Sequence, residues 1–244
     1  MLLSFQNVTQ RFGELAAVND LSFDVEEGQI FGIAGPNGAG KTTVFNLISG
    51  FLHGSGRIIL DDKRIDGLPP HRVTLLGVAR TFQIPQPFQS MTVLQNLRIG
   101  EHFGAKGPAG EGGRRAPWKD LPELVSFVGL EGKEAHAVAS LKLYDKKLTV
   151  LASALATRPR LIMLDEAIGG LSSLEAEQSL ALFTRLNKEW GVTIIIIEHL
   201  MSVLTRLCDR LLILNNGEAL SCGPPLMVVE DPAVQEVLLG GKRA

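Results

Sequence analysis

The amino-terminal part of the chain changes from alternating apolar and polar positions to short apolar runs. Across residues 1–30 the alternation is interrupted by turn signals, which predicts antiparallel strands. Residues 29–34 form an apolar run that is typical of a buried strand and leads into a glycine-rich turn. A helical pattern follows at residues 42–49, and residues 57–60 resemble an edge strand. The order of strand, glycine-rich turn and helix is the one that a phosphate-binding loop requires.

The middle of the chain differs in pattern from its two flanks. Residues 92–101 have helical periodicity, and further helical segments extend to Thr157. Residues 103–118 are rich in Gly, Pro and Ala, which predicts an exposed loop. After residue 157 buried apolar strands alternate with helices, so we expect a parallel sheet that is covered on both faces. The predicted strands are 161–164, 193–197, 211–214 and 218–221, and a helix is predicted at 174–189.

Charge and cysteine content exclude several classes of protein. The chain has 24 basic and 26 acidic residues, so we expect no basic face for nucleic acid. Cys208 and Cys222 have neither metal-site spacing nor the pattern of a disulfide framework, which fits a reducing cytosol. The longest strongly apolar run, 192–197, is much shorter than the roughly 20 residues that span a bilayer, and the start lacks a basic leader. We therefore expect a soluble protein.

The glycine-rich turn carries a complete phosphate-binding motif. Its residues match the pattern G-x-x-x-x-G-K-[ST], in which glycines let backbone N–H groups point at phosphate oxygens and the following helix adds its positive dipole end. Lys41 is expected to reach the β- and γ-phosphates, and the Thr42 hydroxyl is expected to ligate Mg²⁺. The predicted nucleotide-binding residues are Gly35, Pro36, Asn37, Gly38, Ala39, Gly40, Lys41, Thr42 and Thr43.

Two adjacent carboxylates end a second apolar strand. Residues 161–164 are followed directly by Asp165 and Glu166. An acidic side chain at the carboxyl end of a central parallel strand is expected beside the phosphate loop. We predict that Asp165 holds Mg²⁺, through water, and that Glu166 polarises the attacking water as a general base.

With these two motifs in place, the chain resembles the ATP-binding cassette (ABC) ATPases over its whole length. Within that family it is most similar to the ATPases of branched-chain amino acid uptake systems. The resemblance extends to residues 80–83 (RTFQ), 198–201 (EHLM) and 231–234 (DPAV). It implies an α/β fold: a P-loop NTPase core with a parallel sheet, an N-terminal antiparallel β-subdomain and an inserted helical subdomain.

The same resemblance implies further boundaries and residue roles. Residues 1–244 would form a single domain, in which 1–87 and 158–244 are the catalytic core with the β-subdomain and 88–157 are the helical subdomain. Gln83 would approach Mg²⁺ and the attacking water, and His199 would hydrogen-bond the γ-phosphate. Phe12 matches the aromatic residue that stacks on adenine, whereas Phe5 and Phe23 are expected in the core.

The chain departs from the family pattern in the segments that serve a partner's nucleotide. The usual signature L-S-G-G-Q aligns with residues 141–145 (LKLYD), so no glycine is present and Lys142 replaces the serine. Ala167 stands where the family has proline after the catalytic glutamate, and Ser172 replaces an acidic residue or Asn in the next loop. Without glycine the backbone approaches a phosphate less closely, although the Lys142 ammonium would supply charge directly.

These departures leave more than one function open. The resemblance implies an ATP- and Mg²⁺-dependent ATPase subunit of an importer, cytoplasmic and peripheral on the inner face of the cell membrane. Its implied partners are a second ABC ATPase subunit, in a hetero- or homodimer, integral membrane permease subunits and, indirectly, an extracytoplasmic solute-binding protein. The alternatives are an ATP-binding regulatory subunit with little turnover of its own and a soluble ABC ATPase outside transport. The altered signature indicates either that this chain pairs with a different ATPase chain whose signature is intact, or that the change is a tolerated variant without functional asymmetry.

Overall fold

The computed structural model describes residues 1–104 and 117–239 of the protein. The loop predicted at 103–118 therefore lies, apart from its two ends, outside the described residues. The described chain divides into two units. The first unit contains residues 1–70 and the chain from Thr193 onward, and the second contains residues 71–192.

The described elements follow in an order that largely matches the sequence pattern. The strands are β1 (Leu3–Phe12), β2 (Leu15–Val25), β3 (Ile30–Ala34), β4 (Ser55–Leu60), β5 (Lys63–Arg64), β6 (Val78–Arg80), β7 (Leu161–Asp165), β8 (Thr193–Ile197), β9 (Arg210–Asn215) and β10 (Glu218–Gly223). The helices are α1 (Lys41–Ile48), α2 (Pro70–Leu75), α3 (Val93–Phe103), α4 (Leu121–Phe127), α5 (Leu143–Ala156), α6 (Ser173–Trp190), α7 (Met201–Leu207), α8 (Pro225–Glu230) and α9 (Pro232–Leu239).

The first unit contains an antiparallel sheet with the strand order β2-β1-β4-β5. Its alternating pattern turns Phe5 and Phe23 to one face, where they are buried and stack with ring centroids 4.9 Å apart. Phe23 also stacks on Phe31 of β3 at 5.4 Å, so both aromatic residues belong to the core, as predicted. The prediction of an edge strand at 57–60 was wrong, because the two-residue strand β5 pairs with the outer side of β4.

The strands of the first unit that carry the site form a second group around β3. Strand β3 pairs in parallel with β8 on one side and with β9 on the other. Every residue of β3 and β8 is buried, which explains why both read as continuous apolar runs. Strand β10 pairs with β9 in the antiparallel direction, so this edge of the sheet is mixed.

The second unit combines a parallel strand pair with several helices. Strand β6 pairs in parallel with β7. Helix α3 begins at a capping box formed by Thr92 and Gln95, and α6 begins at a second one formed by Ser172 and Glu175. A Cβ atom on Gly100 of α3 would lie 2.1 Å from a carbonyl oxygen of α5. The two helices can therefore approach this closely only because glycine occupies position 100.

An aromatic cluster joins α4 and α6 within the second unit. The Phe127 and Trp190 rings are stacked with centroids 3.6 Å apart, and Trp118 lies 5.0 Å from Trp190. The Arg185 guanidinium lies 4.3 Å from the centre of the Phe127 ring. The cluster buries Trp118, which is 6% exposed, and it fixes the chain just ahead of α4 against the end of α6.

The predicted division into residues 1–87 and 158–244 on one side and 88–157 on the other stays a prediction. None of the helices within residues 1–104 and 117–239 is both long enough and apolar enough to cross a bilayer.

Candidate functional site

The phosphate-binding motif forms the connection between β3 and α1 in the first unit. Gly35, Gly38 and Gly40 all have positive φ angles, of 145°, 80° and 103°, which side chains other than glycine rarely adopt. Two of these glycines are also enclosed. A Cβ atom on Gly35 would lie 2.1 Å from the carbonyl oxygen of Leu214, and one on Gly40 would lie 2.3 Å from that of Ala17. The loop therefore needs glycine for its conformation and for its packing.

Lys41 is the first residue of α1 and is 7% exposed. Its ammonium group donates to the carbonyl oxygens of Gly35 and Pro36 at 2.7 and 2.9 Å, so the side chain folds back over the loop. Asn37, Gly38 and Thr42 are exposed, and residues 41–44 of the first helical turn include no acidic side chain. A buried cation, an accessible loop and a helix N-terminus with no acidic residue in its own first turn together suit an anionic ligand.

The carboxylate of Asp165 at the end of β7 is held by an arginine in the second unit. Arg80, the last residue of β6, donates to Asp165 at 2.8 Å. The two side chains are only 6% and 8% exposed. The Arg80 guanidinium also lies 4.9 Å from the centre of the Phe82 ring. A buried carboxylate requires such a partner, since an unpaired charge costs several kcal/mol in the interior.

Glu166, the predicted general base, lies in a strained turn directly after β7. Its φ angle is 48°, and a non-glycine residue in this region costs about 1–3 kcal/mol. Gln83 donates from its amide to the Glu166 carboxylate at 2.5 Å. Lys147 of α5 donates to the backbone carbonyl oxygens of Glu166 and Ala167 at 3.3 and 3.0 Å. The second unit thus brings together Gln83, Asp165 and Glu166.

Two further predicted residues lie at ends of strands in the first unit. His199 follows β8 and is exposed, whereas the preceding Glu198 is 4% exposed. Phe12 ends β1 and is 50% exposed, unlike the buried Phe5 and Phe23. An exposed aromatic ring has a free face for stacking, and an exposed imidazole can reach a ligand. The predicted roles of both residues therefore stay open to test.

Magnesium is compatible with the oxygen donors that these segments offer. Among residues 1–104 and 117–239, no cluster of three His, Cys, Asp or Glu side chains could hold a metal ion. Mg²⁺ does not require such a cluster when phosphates supply most of its ligands, because one or two protein oxygens then suffice. The Thr42 hydroxyl and the Asp165 carboxylate are donors of this hard type. A carboxylate has about four acceptor positions, so the bond from Arg80 does not use all the acceptor positions of Asp165.

Comparison with known proteins decides the family. Residues 18–169 match the family model described as ABC transporter. The chain belongs to the ABC transporter family. The α/β fold with a P-loop NTPase core, which the resemblance implies, is confirmed by the solved ATP-binding cassettes that the chain matches.

Full-length relatives and solved structures agree with this assignment. The chain is 36% identical to the high-affinity branched-chain amino acid transport ATP-binding protein BraF of Pseudomonas aeruginosa, over 98% of each protein. It is 34% identical to LivG of Escherichia coli, which carries the same description, again over 98% of each. The crystal structure of the ADP conformation of MJ1267, an ATP-binding cassette of an ABC transporter, superposes with a TM-score of 0.86 at 31% identity, and the match covers 98% of both chains.

The altered signature segment of this ABC chain forms the start of α5. Lys142 precedes the helix and is exposed, and Leu143 is 45% exposed. Asp145 is buried and accepts a hydrogen bond from Lys133 at 2.7 Å. Because Asp145 turns inward, it is not available to a ligand at the surface.

Tyr144, which aligns with a signature glycine, is partly buried. Burial raises the pKa of its hydroxyl, and a hydrogen bond with Ser179 of α6 opposes that shift. The Tyr144 hydroxyl is therefore directed towards α6, and Lys142 and Leu143 are the exposed residues of the signature segment.

Two residues at the site were missed by sequence reasoning. Arg80 was noticed only as part of the family pattern at 80–83, and Lys147 was not singled out at all. Arg80 contacts Asp165, which lies 85 positions later in the sequence. Lys147 contacts Glu166, which lies 19 positions later. A basic residue at the end of a short strand is the only signal that could have indicated Arg80, and nothing local distinguishes Lys147 from Lys146.

Proposed function

We propose that this protein is the ATP-hydrolysing, nucleotide-binding subunit of an ABC importer for branched-chain amino acids or related small polar solutes. The observation that carries the proposal is the phosphate loop, in which three glycines at positive φ precede a buried Lys41. The relatives at 34–36% identity are named as branched-chain amino acid transport ATP-binding proteins over almost their whole length, which supports the solute class.

The proposed binding step uses the loop and the lysine. Backbone N–H groups of residues 35–43 would hold the phosphates of ATP, and the Lys41 ammonium would exchange its contacts with the Gly35 and Pro36 carbonyls for phosphate oxygens. Phe12 would stack on the adenine ring. Bound Mg²⁺ would neutralise phosphate charge in the transition state, with Thr42, Asp165 and Gln83 as its protein donors.

The proposed chemical step uses Glu166, Gln83 and His199. Glu166 would accept a proton from the attacking water, and the Gln83 amide holds that carboxylate at 2.5 Å. His199 would donate to the γ-phosphate as negative charge accumulates. Each of these groups orients a reactant or stabilises charge, which is how phosphoryl transfer is mainly catalysed.

The proposed assembly is a dimer of ABC subunits on permease subunits at the inner face of the membrane. One solved cassette of similar fold, MJ0796, is described as dimeric; it matches with a TM-score of 0.77 at 25% identity over 92% of this chain and 99% of that one. ATP cleavage would open such a dimer by removing the bridging γ-phosphate. The solute-binding protein would contact the permease and not this chain.

Glu166→Gln tests the catalytic role. This substitution keeps the shape of the side chain but removes the base, so kcat should fall by about 10²–10⁴ while ATP binding persists. Turnover is measured in the complex that copurifies with this chain from membranes, and binding is measured with a fluorescent ATP analogue. Lys41→Ala is the companion variant and should weaken binding itself. Unchanged turnover in Glu166→Gln would exclude the assignment of Glu166.

The second candidate function is that of one subunit in a heterodimer with a single hydrolytic site. The inward direction of Tyr144 and Asp145 favours it. Such a chain would supply Lys41 and Glu166 to its own nucleotide but only Lys142 to its partner's. The expected result is one hydrolytic site per dimer and little turnover by this chain alone. Full ATPase activity of the purified chain as a homodimer would exclude it. A purely regulatory subunit would show no loss of turnover in Glu166→Gln.

A further inference from the structure

We infer that Lys147 is a positioning residue for ATP hydrolysis: its two hydrogen bonds hold the turn at Glu166 and Ala167 in the conformation that presents the general base. The inference rests on the proposed function. It adds a residue from α5 that acts on Glu166 of the same chain through the backbone.

The turn at Glu166 needs an external restraint. Glu166 has a φ angle of 48°, in a region that glutamate populates only when its surroundings impose it. The following residue is Ala167, which leaves its own φ angle free, whereas proline would fix that angle and restrict the residue before it. Neither residue therefore determines the conformation of the turn by itself.

The contacts around the turn show where the restraint comes from. The Glu166 carbonyl oxygen accepts from the backbone N–H of Gly169 at 3.2 Å and from the Lys147 ammonium at 3.3 Å. The same ammonium donates to the Ala167 carbonyl oxygen at 3.0 Å. Lys147 thus joins two successive carbonyl groups, and a cation that does so fixes the orientation of the peptide between them.

Packing does not replace these bonds. A cavity of about 30 Å³ lies beside the turn, and its walls include Ala167, Lys147, Leu151 and Phe183. Because part of the space next to Ala167 is not filled by side chains, packing on that side restrains the turn less than a filled core would.

The consequence for catalysis follows from the geometry of the carboxylate. Gln83 contacts the Glu166 side chain, but a side-chain contact cannot compensate for a displaced backbone. A displacement of about 1 Å at a reacting group costs as much as 10²-fold in rate. Removing the Lys147 ammonium should therefore lower kcat and leave the binding of ATP by the phosphate loop intact.

The test compares Lys147→Met with Lys146→Met in the membrane complex that copurifies with this chain. Both substitutions remove an ammonium group from α5 and keep an unbranched side chain of good helix propensity. With Mg²⁺ and ATP, Lys147→Met should lower kcat by about 10- to 100-fold with KM and ATP affinity within about twofold of wild type. Lys146→Met should match wild type, and Lys147→Arg should restore at least half of the turnover.

A double variant separates positioning from general loss of structure. If Lys147 acts only through Glu166, adding Lys147→Met to Glu166→Gln should cause little further loss of kcat. If Lys147→Met proves too unstable to purify, Lys147→Gln takes its place, because it keeps a polar group that is too short to reach both carbonyls. Turnover of either variant within about twofold of wild type overturns the inference, and so does a loss of ATP affinity with unchanged kcat.

Failure of the proposed function gives a different result. In that case the wild-type complex does not hydrolyse ATP, or Glu166→Gln leaves turnover unchanged, whatever the Lys147 variants do. Failure of the inference alone leaves wild-type turnover and the Glu166→Gln loss in place.

Discussion

Replacing Arg80 by methionine should destabilise the second unit strongly, because it leaves Asp165 buried without its cation. Arg80 and Asp165 are 2.8 Å apart with side chains only 6% and 8% exposed. Two unit charges about 4 Å apart attract by about 4 kcal/mol at an effective dielectric constant of about 20. Breaking a buried pair by removing one partner typically costs about 3–5 kcal/mol. The contact of Arg80 with the Phe82 ring adds about 0.5–1 kcal/mol.

The expected loss of about 4 kcal/mol is large enough to measure by urea unfolding. With an m-value of about 2–3 kcal/mol per molar urea, the unfolding midpoint should fall by about 1.3–2 M. Tryptophan fluorescence is a suitable signal, because Trp118 and Trp190 lie in the same unit as Arg80. Arg185→Met is the matched control: its ion pair with Glu189 is about half exposed, worth about 1 kcal/mol or less. Its contact with the Phe127 ring adds about 0.5–1 kcal/mol, so the total loss should stay below about 2 kcal/mol.

A double variant checks the physical cause of the loss. Arg80→Met combined with Asp165→Leu removes both charges, and apolar replacement of a buried pair is often neutral. The double variant should therefore be more stable than Arg80→Met alone. A loss below about 1 kcal/mol in Arg80→Met, or a double variant less stable than the single one, would refute the reasoning.

Two further predictions concern the first unit. Gly35→Ala should abolish ATP binding and lower the unfolding midpoint, because its Cβ would lie 2.1 Å from the Leu214 carbonyl oxygen; Gly38→Ala, where nothing lies within 4 Å, should cost only the backbone strain of about 1–2 kcal/mol. Equal losses of affinity and midpoint in both variants would contradict this. Burial raises the pKa of the Cys208 thiol to about 12 and that of Cys222 as well, but only Cys222 is exposed, so at pH 8 maleimide should label Cys222 and spare Cys208 until denaturant is added. Rapid labelling of both cysteines in the native chain would disprove it.

The same thiol implies a pH dependence of stability. The pKa of Cys208 is about 12 in the folded chain and 9.0 for the ordinary group, so the unfolded chain ionises first as pH rises. The stability that the neutral thiol contributes is complete below about pH 9 and is lost progressively between about pH 9 and 12.

The parts of the fold that the sequence predicted are those with local signals. Strand β8 has the predicted bounds 193–197, because five consecutive β-branched residues are a strong local signal for a strand. The phosphate loop is equally local, since each glycine is required by its own backbone angle. By contrast, β5 and β6 have two and three residues, which is too short for any periodicity, and α2, α7 and α8 have six or seven.

The parts of the site that were missed depend on contacts between distant positions. Arg80 and Asp165 are 85 residues apart, and only the pairing of β6 with β7 brings them together. Nothing about a glutamate residue predicts that Glu166 has a positive φ angle. The contacts of Lys147 depend on which face of α5 is turned towards the end of β7. The inward direction of Tyr144 and Asp145 also depends on the rotation of α5, so sequence reasoning could identify the altered signature but not its orientation.

The aromatic cluster of α4 and α6 determines what an optical experiment on this protein can observe. The chain contains two tryptophans and one tyrosine, and Trp118, Trp190 and Tyr144 all belong to the second unit. Indole emission therefore reports on the surroundings of Trp118 and Trp190 in the second unit, whereas the β1–β4 sheet and the loop that follows β3 contain no tryptophan. Local structure around a variant such as Gly35→Ala is therefore best followed by circular dichroism or by a tryptophan introduced into the first unit.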